Sequence, residues 1–147
     1  MPPIDPYHSL HRALTAEGMP SIDPSARKAL IWAYSWAVPS ADALEAIVDA
    51  AGGGLILEVG AGTGYWAWLL QQAGARVVAT DRAEHAPPRW TEVVACPAGE
   101  APRRHPDARL LLLVWPELGS PMASDALGAF RGEWVAYVGE WEGRTGS

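Results

Sequence analysis

Apolar positions along the chain change rhythm near residue 54. Before it they recur every three or four residues, first at Leu30, Ile31, Tyr34 and Val38, then at Leu44, Ile47, Val48 and Ala51. That spacing predicts two amphipathic helices. After it they gather in short runs: "LILEV" (55–59), "RVVAT" (76–80), "TEVVA" (91–95), "RLLLLVW" (109–115) and "WVAYVG" (134–139). Runs of this length predict strands, and the nearly unbroken fourth is expected where both faces of a sheet are covered.

Punctuation residues sharpen the boundaries. Asp23-Pro24 reads as an N-cap followed by proline in the first helical turn, opening a helix that runs through "SARKALIWAYSWAV" to Pro39. Ser40 caps the next helix, and Gly52–Gly54 stop it. A helix from Tyr65 to Ala73 closes at Gly74, and another runs from Ser120-Pro121 to Phe130, with Gly132 breaking it. Residues 1–22 carry four prolines and predict an arm with at most one short helix. The stretches 83–89 and 97–108 read as loops. The alternation of strands and helices predicts an α/β fold: a Rossmann-like, mostly parallel sheet of about five strands with helices on both faces and a helical N-terminal segment. A length of 147 residues predicts one domain, with 1–53 as N-terminal arm and helices and 54–147 as the core.

Composition narrows the classes. The chain is 49% hydrophobic and 19% charged, which reads as globular. The formal charge of -6 argues against general binding to nucleic acid or to a membrane surface, since both need positive potential. Cys96 is the sole cysteine, so no intrachain disulfide forms. The N-terminus has neither the basic nor the apolar region of a signal peptide, and the "LLLLV" run is too short to span a bilayer. A cytoplasmic location is expected.

The chemistry concentrates in "LEVGAGTGY" (57–65), a glycine turn between a strand and a helix. A triphosphate loop needs Gly-Lys-Ser/Thr, and the only lysine is Lys28, far from here. A dinucleotide loop needs Gly-x-Gly-x-x-Gly, whereas Gly60, Gly62 and Gly64 give Gly-x-Gly-x-Gly and put the bulky Tyr65 at the last position. Glu58 decides further. A carboxylate is unwelcome beside a diphosphate but suits the ammonium and sulfonium of S-adenosylmethionine. Asp81, at the end of the second strand, is placed to accept hydrogen bonds from ribose hydroxyls. A nicotinamide oxidoreductase is the less favoured reading.

With these residues in view, "EVGAGTG" resembles the first motif of class I S-adenosylmethionine-dependent methyltransferases, and "VVATD" their second. "YSWAVPS" (34–40), "LLLLVWPELGSPMASDALGAFRG" (110–132) and "YVGE" (137–140) resemble a group of small methyltransferase-like proteins with Tyr-Ser-Trp-Ala-x-Pro and Leu-Leu-x-x-Trp-Pro-Pro segments. Glu117 stands here in place of the second proline. The resemblance implies that Glu58 orients the methionine amino group. It gives the cradle to Gly60, Ala61, Gly62, Gly64 and Tyr65, and the ribose to Asp81. Gly99 and Glu100 would touch adenine. Trp115, Pro116 and Glu117 would lie near the methyl group as the catalytic candidates, with Tyr34 and Trp36 closing the pocket. The fold of that family ends in an antiparallel hairpin for which no sequence is left after "YVGEWEGRTGS". The fifth strand is therefore expected to be an edge, covered in a homo-oligomer or hetero-complex.

The remaining candidates carry less. His8 and His11 have no Cys or acid cluster to complete a metal site, so no metal is expected. Cys96 has no evident base, and no Gly-x-Ser-x-Gly elbow is present. Trp66 and Trp68, two apart at a helix start, cannot share one face and read as core. The expected function is an S-adenosylmethionine-dependent methyltransferase acting on an unidentified small molecule or protein group. The alternative is a non-catalytic methyltransferase-like module used in cofactor binding or in assembly.

Overall fold

Each apolar run forms a strand, and all the strands point the same way. The structure, a computed structural model, describes residues 4–15, 22–83 and 88–140. Its strands are β1 (Leu55–Val59), β2 (Arg76–Asp81), β3 (Val93–Ala95), β4 (Ala108–Val114) and β5 (Trp134–Val138). They pair in parallel in the order β3-β2-β1-β4-β5. This is the expected α/β, Rossmann-like arrangement. The helices are α1 (Pro6–Leu14), α2 (Pro24–Ala33), α3 (Ala41–Ala51), α4 (Tyr65–Gln72), α5 (Ala101–Arg104) and α6 (Met122–Ala129).

The pleat sorts the strand residues into two layers. Ile56, Leu110 and Leu112 join Leu44 and Ile47 of α3 and Trp66, Leu69 and Leu70 of α4. Leu55, Leu57, Val59, Leu111 and Leu113 face the other way and meet Ala101 of α5 and Ala123 and Ala126 of α6. Covered on both sides, β1 is buried along its whole length. Each buried leucine or isoleucine of these layers contributes about 1.5–3 kcal/mol of transfer free energy.

The caps form where the sequence places them. Asp23 accepts from the Ser25 and Ala26 amides ahead of Pro24, and Ser40 accepts from the Ala43 amide. Gly52, in the left-handed region at φ 53, closes α3. The Pro-rich arm does hold one short helix, α1, capped by Asp5.

Four boundaries differ from expectation. The helix opened by Asp23 stops at Ala33 rather than at Pro39. Its next carbonyls are taken by tertiary donors: Trp90 Nε1 donates to Ala33 O at 2.7 Å, Thr63 Oγ1 to Tyr34 O, and Trp66 Nε1 to Ala37 O at 3.2 Å. The third strand starts at Val93, because Thr91 turns its hydroxyl to Gln71 Oε1. Within 97–108, expected as loop, Ala101–Arg104 forms one helical turn. The helix after Ser120 starts at Met122 and ends at Ala129. His85, in the expected 83–89 loop, lies outside the described residues. Among the described residues, no helix is long and apolar enough to cross a membrane.

From β3 the chain passes back across the sheet and lays β4 against β1. The direction of strand addition thus reverses between β1 and β4. In open parallel sheets a crevice forms at the carboxyl ends of the strands at such a point.

Candidate functional site

The turn after β1 is hung on β2. The Gly60 and Ala61 amides both donate to Thr80 O at 2.9 Å, the Gly62 amide to Asp81 Oδ2 at 2.9 Å, and the Gly64 amide to Ala61 O at 2.8 Å. An anion-binding nest needs such donors unspent, and here hydrogen bonds within the chain consume them. Gly60 and Gly62 need to be glycine for different reasons. At Gly60 (φ 76) a Cβ would sit 2.4 Å from Met122 Sδ, so the turn presses against α6. At Gly62 (φ 56) a Cβ would meet nothing within 4 Å, so its bare face looks into open space. Gly64 abuts Val93 and Thr91 and serves packing against β3 rather than the crevice.

Glu58 ends up beneath this turn, 1% exposed. It occupies a central strand position that in a sheet of this kind normally holds an apolar residue. Its Oε2 has no hydrogen-bond partner. Burial pushes its carboxyl up to about 8; the Ala67 amide in the first turn of α4 pulls the other way, and the Asp81 charge adds to the rise. A buried carboxyl oxygen without a partner is costly unless a ligand supplies one.

Glu58 also lines a crevice of about 380 Å³. Its floor is Glu58 with the backbone of Gly60, Ala61, Gly62 and Thr63. One wall is the end of α2 and the segment after it, from Ile31 and Trp32 to Tyr34, Ser35 and Trp36. Trp66, Pro88 and Val114 at the tip of β4 complete it. The crevice thus opens at the sheet's reversal point. Tyr34 and Trp36 line it, as the resemblance implies. Trp32, Thr63 and Val114 were not singled out from sequence, and Trp66, read as core and buried there, also reaches the lining. Thr63 was legible as the fourth member of the glycine turn, whereas nothing local marks Trp32 or Val114.

The other sequence candidates lie elsewhere. Tyr65 points into the core, where its hydroxyl donates to Asp5 Oδ1 at 2.6 Å and accepts from the Tyr7 amide at 3.1 Å. It fastens α1 to α4 and lines no crevice. Asp81 spends one carboxylate oxygen on Gly62 and the other on the Arg82 amide at 2.7 Å. The Cys96 amide donates to Asp81 O, which sets the Cys96–Glu100 loop beside the end of β2. In that loop Gly99 faces Asp125 of α6, and Glu100 is ion-paired with Arg104 at 2.7 Å on the surface. Burial pushes the Cys96 thiol up, away from nucleophile activation.

Trp115 is half-buried, next to crevice-lining Val114. It adopts φ 49, the left-handed region that a bulky side chain rarely enters, while its amide donates to Val138 O at 2.7 Å. Pro116 is buried, and Glu117 is exposed on the turn closed by the Ser120 amide. No group of three or more metal-ligating side chains comes together among the described residues.

The arrangement offers a ligand one unsatisfied acid, a bare glycine face and a largely carbon wall. That combination suits a cationic or hydrogen-bond-donating head on a partly apolar body. Compared with models of protein families, with curated proteins and with solved structures, the chain matches none.

Proposed function

We propose that the chain binds S-adenosylmethionine in the crevice between β1 and β4 and directs its methyl group to a small molecule or protein group. The observation that carries this reading is the buried carboxyl of Glu58 in the crevice lining, whose Oε2 has no partner. An ammonium donor would satisfy it. A diphosphate would find the turn's amides already used and no side-chain cation among the lining residues. The residues present fit the cation: Glu58 would take the amino group, the open face of Gly62 would let the chain of the ligand pass, and Asp81 would hold the ribose.

When bound, this donor supplies a methyl group on a positively charged sulfur; an acceptor lone pair forms the new bond, the sulfur keeps the electrons of the broken one, and the acceptor's proton passes to water. The protein's part is positioning. Tyr34 and Trp66 would cover the floor, and the turn braced on β2 would hold the ligand in one orientation, which can supply much of the rate of a displacement. Glu58 is the only carboxylate lining the crevice among the described residues, so no separate general base is assigned. Titration calorimetry with S-adenosylmethionine, set against NAD in the same buffer, tests the reading. Release of S-adenosylhomocysteine in cell extract tests the transfer.

One observation favours the alternative of a non-catalytic module for assembly. β5 ends the sheet order, and Trp134, Val135 and Tyr137 on it are about half exposed. Such an edge pairs readily with another chain. Light scattering at micromolar concentration distinguishes an oligomer held through β5 from a monomer.

A further inference from the structure

The floor and walls of the crevice differ in chemistry. The floor holds the Glu58 carboxyl, while the walls present carbon from Ile31, Trp32, Tyr34, Trp36 and Val114. Three polar side-chain groups of the lining are engaged within the chain: Ser35 Oγ donates to Ala37 O, Thr63 Oγ1 to Tyr34 O, and Trp66 Nε1 to Ala37 O at 3.2 Å. No Lys, Arg or His lines the crevice among the described residues.

The rim is unusual. Trp32 and Trp36 both line the crevice yet are 66% and 61% exposed. Indole surface left in water costs about 25 cal/mol per Å², which a flat apolar partner would recover. Trp36 lies between Ser35 and Ala37, whose side-chain and backbone bonds brace the segment that carries the ring.

We infer that the methyl acceptor is a small, flat, apolar molecule, an aromatic or heteroaromatic ring without phosphate or carboxylate, stacked on Trp36 and Trp32 at the mouth. The inference rests on the methyl-transfer reading of the same crevice. Charge favours it: no Lys, Arg or His lines the crevice among the described residues, so an anionic acceptor would find no side-chain cation of the lining to pair with. Offset stacking on indole supplies affinity without hydrogen bonds, which matches walls that present mostly carbon.

The test uses the full chain saturated with S-adenosylhomocysteine, confirmed by calorimetry. Binding of 2-naphthol, of adenosine 5′-monophosphate and of a short glutamine- and lysine-bearing peptide is then followed by saturation-transfer NMR, in the wild type and in Trp36→Ala, Trp36→Leu and Trp32→Ala. The expected result is that 2-naphthol binds and that either Trp36 variant weakens it about tenfold. Calorimetry on each variant sets the S-adenosylhomocysteine concentration that saturates it, so that a loss of 2-naphthol binding is read with the crevice floor occupied. Adenosine 5′-monophosphate and the peptide should not bind. With S-adenosylhomocysteine bound, absence of 2-naphthol binding, indifference to all three substitutions, or a preference for the peptide or the nucleotide overturns the acceptor class alone. Failure of S-adenosylhomocysteine to bind overturns the methyl-transfer reading, and the acceptor assignment with it.

Discussion

The Gly62 amide donates to Oδ2 of Asp81 at 2.9 Å, tying the turn after β1 to the last residue of β2, 19 positions away in sequence. The acid expected to hold ribose is therefore also the brace of the glycine turn. A carboxylate has about four lone-pair sites, so both roles fit one side chain.

Asp81→Ala removes the acceptor of the Gly62 and Arg82 amides. It is expected to lower stability by about 1–3 kcal/mol and to weaken S-adenosylmethionine. Asp81→Asn keeps one oxygen for Gly62 and should recover most of the melting temperature but not the affinity. Melting curves beside calorimetry separate the two roles, and an unchanged affinity in both variants would remove the ribose assignment.

Glu58 should set a pH dependence of stability. Its native carboxyl is raised to about 8 by burial, against an ordinary value of 4.5. Between those values the native state holds a proton that the unfolded chain has lost. The contribution of Glu58 is thus greatest below about pH 4.5 and falls as pH rises through about 8, by an amount on the order of a few kcal/mol. Glu58→Gln removes this slope and should be more stable than the wild type near pH 8. Urea unfolding of both proteins near pH 5 and near pH 8 isolates the term as their difference, and a difference of the opposite sign would contradict the burial argument.

Tyr65→Phe deletes the hydroxyl that joins Asp5 to the Tyr7 amide. The ring, fully buried, keeps its place against Tyr34, Trp68 and Trp90. A loss of about 1–3 kcal/mol is expected, because the Tyr7 amide is left without an acceptor. Hydrogen exchange should quicken first in α1, whose amides open locally. An α1 as well protected as in the wild type would mean that it does not depend on this contact.

Gly60→Ala and Gly62→Ala should part company. Both force an L-residue into the left-handed region, at about 1–2 kcal/mol. Only the first also drives a methyl against Met122 Sδ, so it should destabilise by more. Gly62→Ala should fold yet bind S-adenosylmethionine poorly, its methyl standing over the crevice floor. Chemical denaturation and calorimetry on the pair check this, and equal stability of the two would contradict the packing of the turn on α6.

Much of the fold was legible because its signals are local. β4 showed as a nearly unbroken apolar run, and Ser40 and Gly52 marked both ends of α3. Legibility failed where tertiary hydrogen bonds outbid local preference. Nothing near Ala33 announces that Trp90, 57 positions away, will take its carbonyl and help stop α2. Of the crevice lining, Glu58, Gly60 and Gly62 were readable from spacing, and Tyr34 and Trp36 from resemblance, whereas Gly64 packs against Val93 and Thr91. Tyr65 misled: beside the glycines it reads as part of the cradle, yet its hydroxyl is claimed by Asp5 on the N-terminal arm. Trp32 carried no pattern at all, since its place on the rim depends on where α2 ends.

Binding of S-adenosylmethionine as a function of pH tests the central claim most directly. A ligand cation that pairs with ionised Glu58 must displace its proton. The association constant measured by calorimetry is thus expected to rise up to about tenfold per unit between about pH 6 and pH 7, with proton release seen in buffers of different ionisation enthalpy. Glu58→Gln should flatten the profile and lower the affinity, and NAD should not bind. Affinity indifferent to pH and to Glu58→Gln, or tight binding of NAD in the same crevice, would contradict the account.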